Sequence, residues 1–279
     1  MRRPRFLSRS PIPTSAADTG AEVALGGSDY RHLKNVLRLA VGDEVELLDT
    51  TQGATFLGTI TSFNESNALV RLSAKLPSLE ILPLQLLFGI CKPKTMDFVV
   101  EKAVELGVSQ ITFFTAERSQ ERLNTEKAAL RSERFSRIVE AALKQSGLSS
   151  APDIRFARNL AEALADTHGA TGPVLGTQLR LVCCTPTDSH KSLEDINFFS
   201  QKSALAELCS GQYALENTTE NADSFIVIGP EGGLTEIELN EAARFSYRPL
   251  SLGPKTLRAE TAVIAACTLV TALRSNRAS

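Results

Sequence analysis

The chain is 279 residues long and has no tryptophan, two methionines and three histidines, His32, His168 and His190. The histidines are far apart, and neither H-x-x-x-H nor H-E-x-x-H occurs, so no metal centre is expected. The five cysteines are odd in number and form no C-x-x-C, which argues against both a disulfide framework and a zinc ribbon. The formal net charge is −2, so the chain as a whole is no polycation, and any contact with nucleic acid must come from local patches. No apolar run approaches the ~18 residues that would cross a bilayer, and no membrane partner is expected. No two glycines lie two apart, which removes G-x-G-x-x-G and every other G-x-G nucleotide loop. The P-loop is missing too, because Pro249 and Pro254 stand where its glycines would precede Lys255-Thr256. There is no G-x-S-x-G elbow.

What is present is ordinary globular composition, 43% hydrophobic and 22% charged, enough for one large domain or two smaller ones. Arg2, Arg3, Arg5 and Arg9 open the chain with serines among them and no acid before Asp18. That composition suits an organelle transit peptide, and equally a basic arm that meets phosphate. Leu33, Val36 and Leu37 are spaced for a short helix between Tyr30 and Leu39. Strands are expected over 44–49, 54–63 and 68–72, separated by the turns at Gly42-Asp43 and Asn64 to Asn67. Short strands with polar turns indicate a small β-barrel. Pro77 and Pro83 flank a linker, so the expected domains are residues 1–76 and 82–279.

The second domain alternates strand and helix. Strands are expected over 84–90, 110–115, 179–183, 225–228 and 249–252. Helices are expected over 97–106, 134–146, 160–165, 236–245 and 259–274. Alternation of this kind implies a mostly parallel sheet covered on both faces. The small residues of the last helix suit packing on a sheet, or on a second subunit. Residues 185–223 are long and polar and read as a partly disordered, flexible insertion.

Two stretches in the last quarter share one plan. In Ile226-Val227-Ile228-Gly229-Pro230-Glu231-Gly232-Gly233-Leu234-Thr235 a buried-type strand ends in a glycine turn. Thr235 and Glu238 then have the spacing of a capping box. Leu252-Gly253-Pro254-Lys255-Thr256-Leu257-Arg258-Ala259-Glu260-Thr261-Ala262 repeats the strand, turn and helix start. One such turn is equally an ordinary connection, but two at strand ends are where open α/β sheets take ligands. With phosphate cradles excluded, the ligand needs close backbone approach rather than many phosphate donors. Backbone N–H and C=O groups can read an adenine edge, and Glu231 favours a nearby positive charge. A sulfonium cofactor satisfies both, which points to S-adenosyl-L-methionine.

These two motifs resemble those of the RsmE family of 16S rRNA (uracil-N3) methyltransferases, in the SPOUT superfamily. Weaker likeness extends over most of the chain. It takes in Arg2, Pro4, Arg5 and Phe6, then His32, Val36-Leu37-Arg38 and Gly42-Asp43. It continues through Lys94, Met96, Phe98, Lys102, Glu105 to Val108 and Glu117-Arg118-Ser119, and ends at Gln145-Ser146-Gly147 and Pro152. The resemblance implies an α/β fold: a C-terminal trefoil-knotted SPOUT methyltransferase domain behind a small N-terminal PUA-like β-barrel. It implies S-adenosyl-L-methionine in the knot loops, with Ile228, Gly229, Glu231, Gly233, Leu252, Gly253, Leu257 and Thr261 as cofactor residues. It implies a homodimer, a cytoplasmic enzyme, and 16S rRNA in the 30S ribosomal subunit as the partner. The basic N-terminus is then an RNA-binding arm, with Arg2, Arg5, Arg38, Lys94 and Arg118 expected on phosphates. Two departures stand out: Leu148 where the family often has arginine, and the length of 185–223, which leaves Cys183 to Pro186 as the expected first knot loop.

The expected chemistry follows from the acceptor. Uracil N3 is a poor nucleophile while it carries its proton, and charge spreads to O2 and O4 once the proton leaves. Arg258 is the candidate for stabilising that charge, or for gripping the target phosphate. Glu260 is the candidate base, and is equally a first-turn carboxylate favoured by the helix dipole. Ribose 2′-O-methylation and a non-catalytic RNA-binding assembly factor are the competing functions.

Overall fold

The structure, a computed structural model, describes residues 3–8, 10–13, 20–77, 83–122, 125–169, 178–184 and 223–275. The chain forms two compact units. One comprises Met1–Ile81 together with Val139–Ala151, and the other Leu82–Ile138 with Pro152–Ser279.

The first unit is built on strands β1 (Arg5–Leu7), β2 (Glu22–Gly26), β3 (Glu44–Asp49), β4 (Ala54–Phe63) and β5 (Asn67–Leu76). Their order is β1-β3-β4-β5-β2, a half-barrel with β1 and β2 at its edges. β1 runs parallel to β3, and the other pairs are antiparallel. Register shifts at Leu57/Gly58 and Ile60/Ser62 bend β4 so that one face can close over Phe6, Leu33, Val45, Leu47, Phe56 and Val70. Between β2 and β3 the expected short helix is α1 (Gly27–Arg31), which widens into a π-helical turn over His32–Val36. That turn buries Leu33 and leaves Val36 and Leu37 exposed. The hairpin after β3 is held by the Asp49 carboxylate, which accepts from Thr51 N at 2.9 Å and from Ile12 N at 2.7 Å. In the same unit Lys144 pairs with Asp29 at 2.7 Å, and Ser149 donates to the Gly53 carbonyl at 2.8 Å. Leu148 is buried there.

The second unit alternates as its sequence suggests. Its elements are β6 (Leu84–Gly89), α2 (Pro93–Glu105), β7 (Gln110–Phe114), α3 (Thr125–Ser146), β8 (Asp153–Ala157), α4 (Leu160–Gly169), β9 (Leu179–Cys184), β10 (Ser224–Ile228), α5 (Glu236–Arg244), β11 (Arg248–Ser251) and α6 (Ala259–Ser275). The last turns of α3 belong with the first unit. All six strands are parallel in the order β11-β9-β10-β6-β7-β8. β8 was not foreseen: its polar and apolar residues do alternate, but over only the five residues Asp153–Ala157. β10 lies between β6 and β9 and is buried at every residue, as a strand covered on both faces must be. One face packs Leu87, Val182, Phe225 and Val227 against α4 and α5 through Leu160, Leu164 and Leu239. α6 packs on α2 and β10. Arg180 is buried in β9 with its guanidinium over the Phe225 and Tyr247 rings, donating to the Phe245 carbonyl at 3.1 Å. The expected insertion at 185–223 falls, except for Asp223, outside the described residues, and so does the chain path that a knot would turn on.

Phe113 sits fully buried among Phe88, Phe135 and Phe156, with ring centroids 6.1, 5.1 and 5.7 Å away. Phe113→Ala is expected to lower stability by about 3–5 kcal/mol in urea denaturation. Ile237→Ala, at a residue 69% exposed, serves as the silent control.

Candidate functional site

The carboxyl ends of β6, β9, β10 and β11 converge on a cavity of about 540 Å³, the size that small-molecule sites take. Chain order reverses here: β6 leads outward to β7 and β8, while β9, β10 and β11 fill the other side, and ligands bind at such switch points. Four connections build the wall. Lys92 and Thr95 come from the β6–α2 junction, and Cys183 and Cys184 from the end of β9. Ile228, Gly229, Pro230, Glu231 and Gly233 come from the loop after β10. Leu252, Gly253 and the run from Lys255 to Glu260, with Ala262, come from the loop after β11 and the start of α6.

The loop after β10 is shaped locally. Gly233 N donates to the Pro230 carbonyl at 2.8 Å, which closes a tight turn. Thr235 then caps α5 in a complete capping box, its N–H given to Glu238 Oε2 at 2.8 Å and its hydroxyl accepting from Glu238 N at 3.3 Å. The second loop depends on Gly253. Its φ of +117° disfavours residues with a Cβ, and among the described residues beyond its chain neighbours nothing lies within 4 Å of where one would stand. The wall there is bare backbone.

Three cations, Lys92, Lys255 and Arg258, and two carboxylates, Glu231 and Glu260, edge the same cavity. The Arg258 side chain is exposed and makes no hydrogen bond or ion pair with another described residue, so its guanidinium is available to a ligand. Glu260 is half-buried in the first turn of α6. Three thiols in this region, Cys91, Cys183 and Cys267, are held in the protonated form. Burial pushes the Cys183 thiol well up, with Cys184 and Cys267 adding to the shift. Burial also pushes up Cys91, and its hydrogen bond and proximity to the Glu231 carboxylate raise it further. Cys267 is pushed up to about 12 by burial. All three stay protonated at neutral pH, which excludes thiolate catalysis by them. Among the described residues no three His, Cys, Asp or Glu side chains gather as a metal site.

The structure brings together most of the residues singled out in the sequence. Ile228, Gly229, Glu231, Gly233, Leu252, Gly253, Leu257, Arg258 and Glu260 all line the cavity. Thr261 does not: α6 turns Ala259, Ala262, Val263 and Ala266 inward, and the helical period leaves Thr261 on the exposed face. Among the basic residues, Arg38 and Lys94 are exposed, Arg38 with a positive φ of 54°. Arg5 is committed elsewhere, its Nε on Glu46 Oε2 at 2.6 Å and its guanidinium against Gly147. Arg118 is committed as well, its Nη1 at 3.2 Å from the carbonyls of both Gly232 and Leu234. Arg2 lies outside the described residues. Lys92 and Thr95 went unnoticed because only tertiary structure brings the start of α2 to this cavity. Lys255 and Thr256 were visible inside the second motif but carried no assigned role.

Comparison with known proteins accords with this geometry. Residues 78–271 match the RNA methyltransferase domain family, and residues 25–73 match the RNA methyltransferase PUA domain. The chain is 28% identical over 243 residues to ribosomal RNA small subunit methyltransferase E 2 of Borreliella burgdorferi, covering 84% of each. It is 26% identical over 259 residues to ribosomal RNA small subunit methyltransferase E of Rickettsia conorii, covering 92% of each. The crystal structure of ribosomal RNA small subunit methyltransferase E from Neisseria gonorrhoeae, bound to S-adenosyl methionine, superposes with a TM-score of 0.73. The two share 26% identity, and the superposition covers 98% of each chain. With a domain match that spans well over half of its length and contains the whole cavity, the chain belongs to the RNA methyltransferase domain family, with an α/β methyltransferase domain behind an RNA methyltransferase PUA domain.

Proposed function

We propose that the chain is an S-adenosyl-L-methionine-dependent methyltransferase that modifies N3 of one specific uridine of 16S rRNA within the 30S subunit. The observation that carries this reading is the convergence of both glycine-turn loops, with Arg258 and Glu260, on one cavity. The cavity fits the cofactor on its own terms. Its volume of about 540 Å³ suits a nucleoside carrying an amino-acid arm. Gly229, Gly233 and Gly253 offer bare backbone for a base edge, and Ile228, Leu252 and Leu257 offer apolar wall. Glu231 places a carboxylate where a sulfonium and an ammonium would be favoured. When bound, the cofactor supplies an electrophilic methyl group.

The chain's own groups do the remaining work. Glu260, at the helix start on the cavity wall, takes the N3 proton of the acceptor uracil. Arg258 donates to the uracil oxygens on which negative charge then collects, a role suited to a guanidinium without a protein partner among the described residues. Arg38 and Lys94, exposed and free of described ion pairs, are the proposed phosphate contacts. The exposed face of α6, with Thr261, Ile264 and Thr268, supports a second copy of the chain docked there as a homodimer. Action on ribosomal subunits places the enzyme in the cytoplasm. No helix among the described residues is long and apolar enough to cross a membrane.

The decisive experiment incubates the protein and S-adenosyl-L-methionine with 30S subunits from a strain lacking this activity, followed by nucleoside mass spectrometry. The expected product is 3-methyluridine in 16S rRNA; a 2′-O-methylated nucleoside would overturn the assignment to the base. Arg258→Ala is expected to lower kcat about 10²–10³-fold, the loss typical of removing one donor to a developing oxyanion. Glu260→Gln is expected to lower kcat by at least about 10²-fold, with cofactor affinity in calorimetry little changed. Gly253→Ala, forced to a φ of +117°, is expected to weaken cofactor binding while Arg258 and Glu260 remain in place.

A further inference from the structure

The loop after β10 forms one wall of the cavity, and among the described residues its one internal hydrogen bond runs from Gly233 N to the Pro230 carbonyl. Beyond the Cys91–Glu231 bond and the cap at Thr235, it is held by the segment after β7. Arg118 Nη1 lies 3.2 Å from the Gly232 carbonyl and 3.2 Å from the Leu234 carbonyl. One residue earlier, Glu117 N donates to Glu238 Oε1 at 3.0 Å, while Glu238 Oε2 accepts from Thr235 N at 2.8 Å. Two peptide planes of the loop are therefore pinned at both ends. The Gly232–Gly233 peptide gives its carbonyl to Arg118 and its N–H to Pro230. The Leu234–Thr235 peptide gives its carbonyl to Arg118 and its N–H to Glu238. Between them lies the Gly233–Leu234 peptide, whose N–H and C=O bond to no other described residue, and Gly233 lines the cavity.

We propose that Arg118 is a positioning residue for the cofactor loop rather than a phosphate contact. By clamping the carbonyls on either side, it presents the Gly233–Leu234 peptide to the ligand. The guanidinium suits the task, because its charge is permanent and its planar fork loses little freedom on bonding. Arg118 does not itself line the cavity, so it acts through the loop. The fit is tight from the other side too. A Cβ on Gly232 would stand 3.0 Å from Arg118 Cβ and 3.1 Å from the Arg118 carbonyl oxygen, although Gly232 takes no left-handed φ.

The proposal rests on the cofactor reading above, and titration of the wild-type protein with S-adenosyl-L-methionine tests that reading alone. If the wild type fails to bind, the cofactor assignment falls. If it binds, calorimetry on Arg118→Ala without RNA tests the clamp. Loss of charge-assisted bonds to two carbonyls should raise Kd roughly tenfold or more. In methylation assays KM for the cofactor should rise while kcat at saturation stays within about twofold, the signature of lost binding rather than lost chemistry. Gly232→Ala, whose Cβ forces the Arg118 backbone and Cβ to give by a few tenths of an ångström at a residue that does not line the cavity, should raise Kd in the same direction. It serves as an independent check should Arg118→Ala fold poorly. An unchanged cofactor Kd in Arg118→Ala, with weakened binding to rRNA, would overturn the proposal and return Arg118 to the phosphate backbone.

Discussion

The site depends on the pairing of Ser224–Ile228 along both of its edges. Its residues match Leu84–Phe88 on one side and its first four match Leu179–Val182 on the other, all in parallel. In that arrangement the strand is hydrogen-bonded along both edges and both faces must be apolar. The strand can therefore leave the sheet only at its carboxyl end, at Gly229. The neighbouring strands end at the same level because parallel register holds them there. Four connections are thereby delivered to one rim from parts of the chain more than a hundred residues apart.

Once the rim is set, its chemistry follows from what each connection carries. The two glycine turns bring backbone rather than side chains, so the wall offers directional N–H and C=O groups. Charge is placed at the edge: Glu231 and Glu260 on one hand, Lys92, Lys255 and Arg258 on the other. A site that has to accept a cationic cofactor beside an acceptor that becomes anionic needs both signs close together. The Cys183 thiol in the wall stays protonated and brings no competing nucleophile.

The basic residues divide along a physical line that their sequence positions do not reveal. Arg5 and Arg118 are engaged with the fold itself, one through Glu46 and one through the Gly232 and Leu234 carbonyls. Arg38, Lys94 and Arg258 keep their charges in solvent. An arginine in a family motif can thus be a scaffold part as well as an RNA contact, because a guanidinium donates to carbonyl oxygens as well as to phosphates.

Local sequence alone determined a good deal of this protein. The strand into Gly229, the Thr235–Glu238 capping box, the alternation that implies a parallel sheet and the glycine turns all follow from short-range preferences, and the structure has each of them. The exclusion of phosphate cradles was equally local, since it needed only glycine spacing. Elements whose residues meet partners far along the chain were not legible. β1 and β2 are edge strands defined by what they pair with, and Lys92 reaches the cavity only because β6 lies beside β10. Thr261 sat inside the motif, but helix packing turned it away from the cavity, while Arg118 reached the loop after β10 only through folding. Propensity and capping act over a few residues and can be read in order; which side chain completes a distant loop is decided by sheet order and register, which no local pattern encodes.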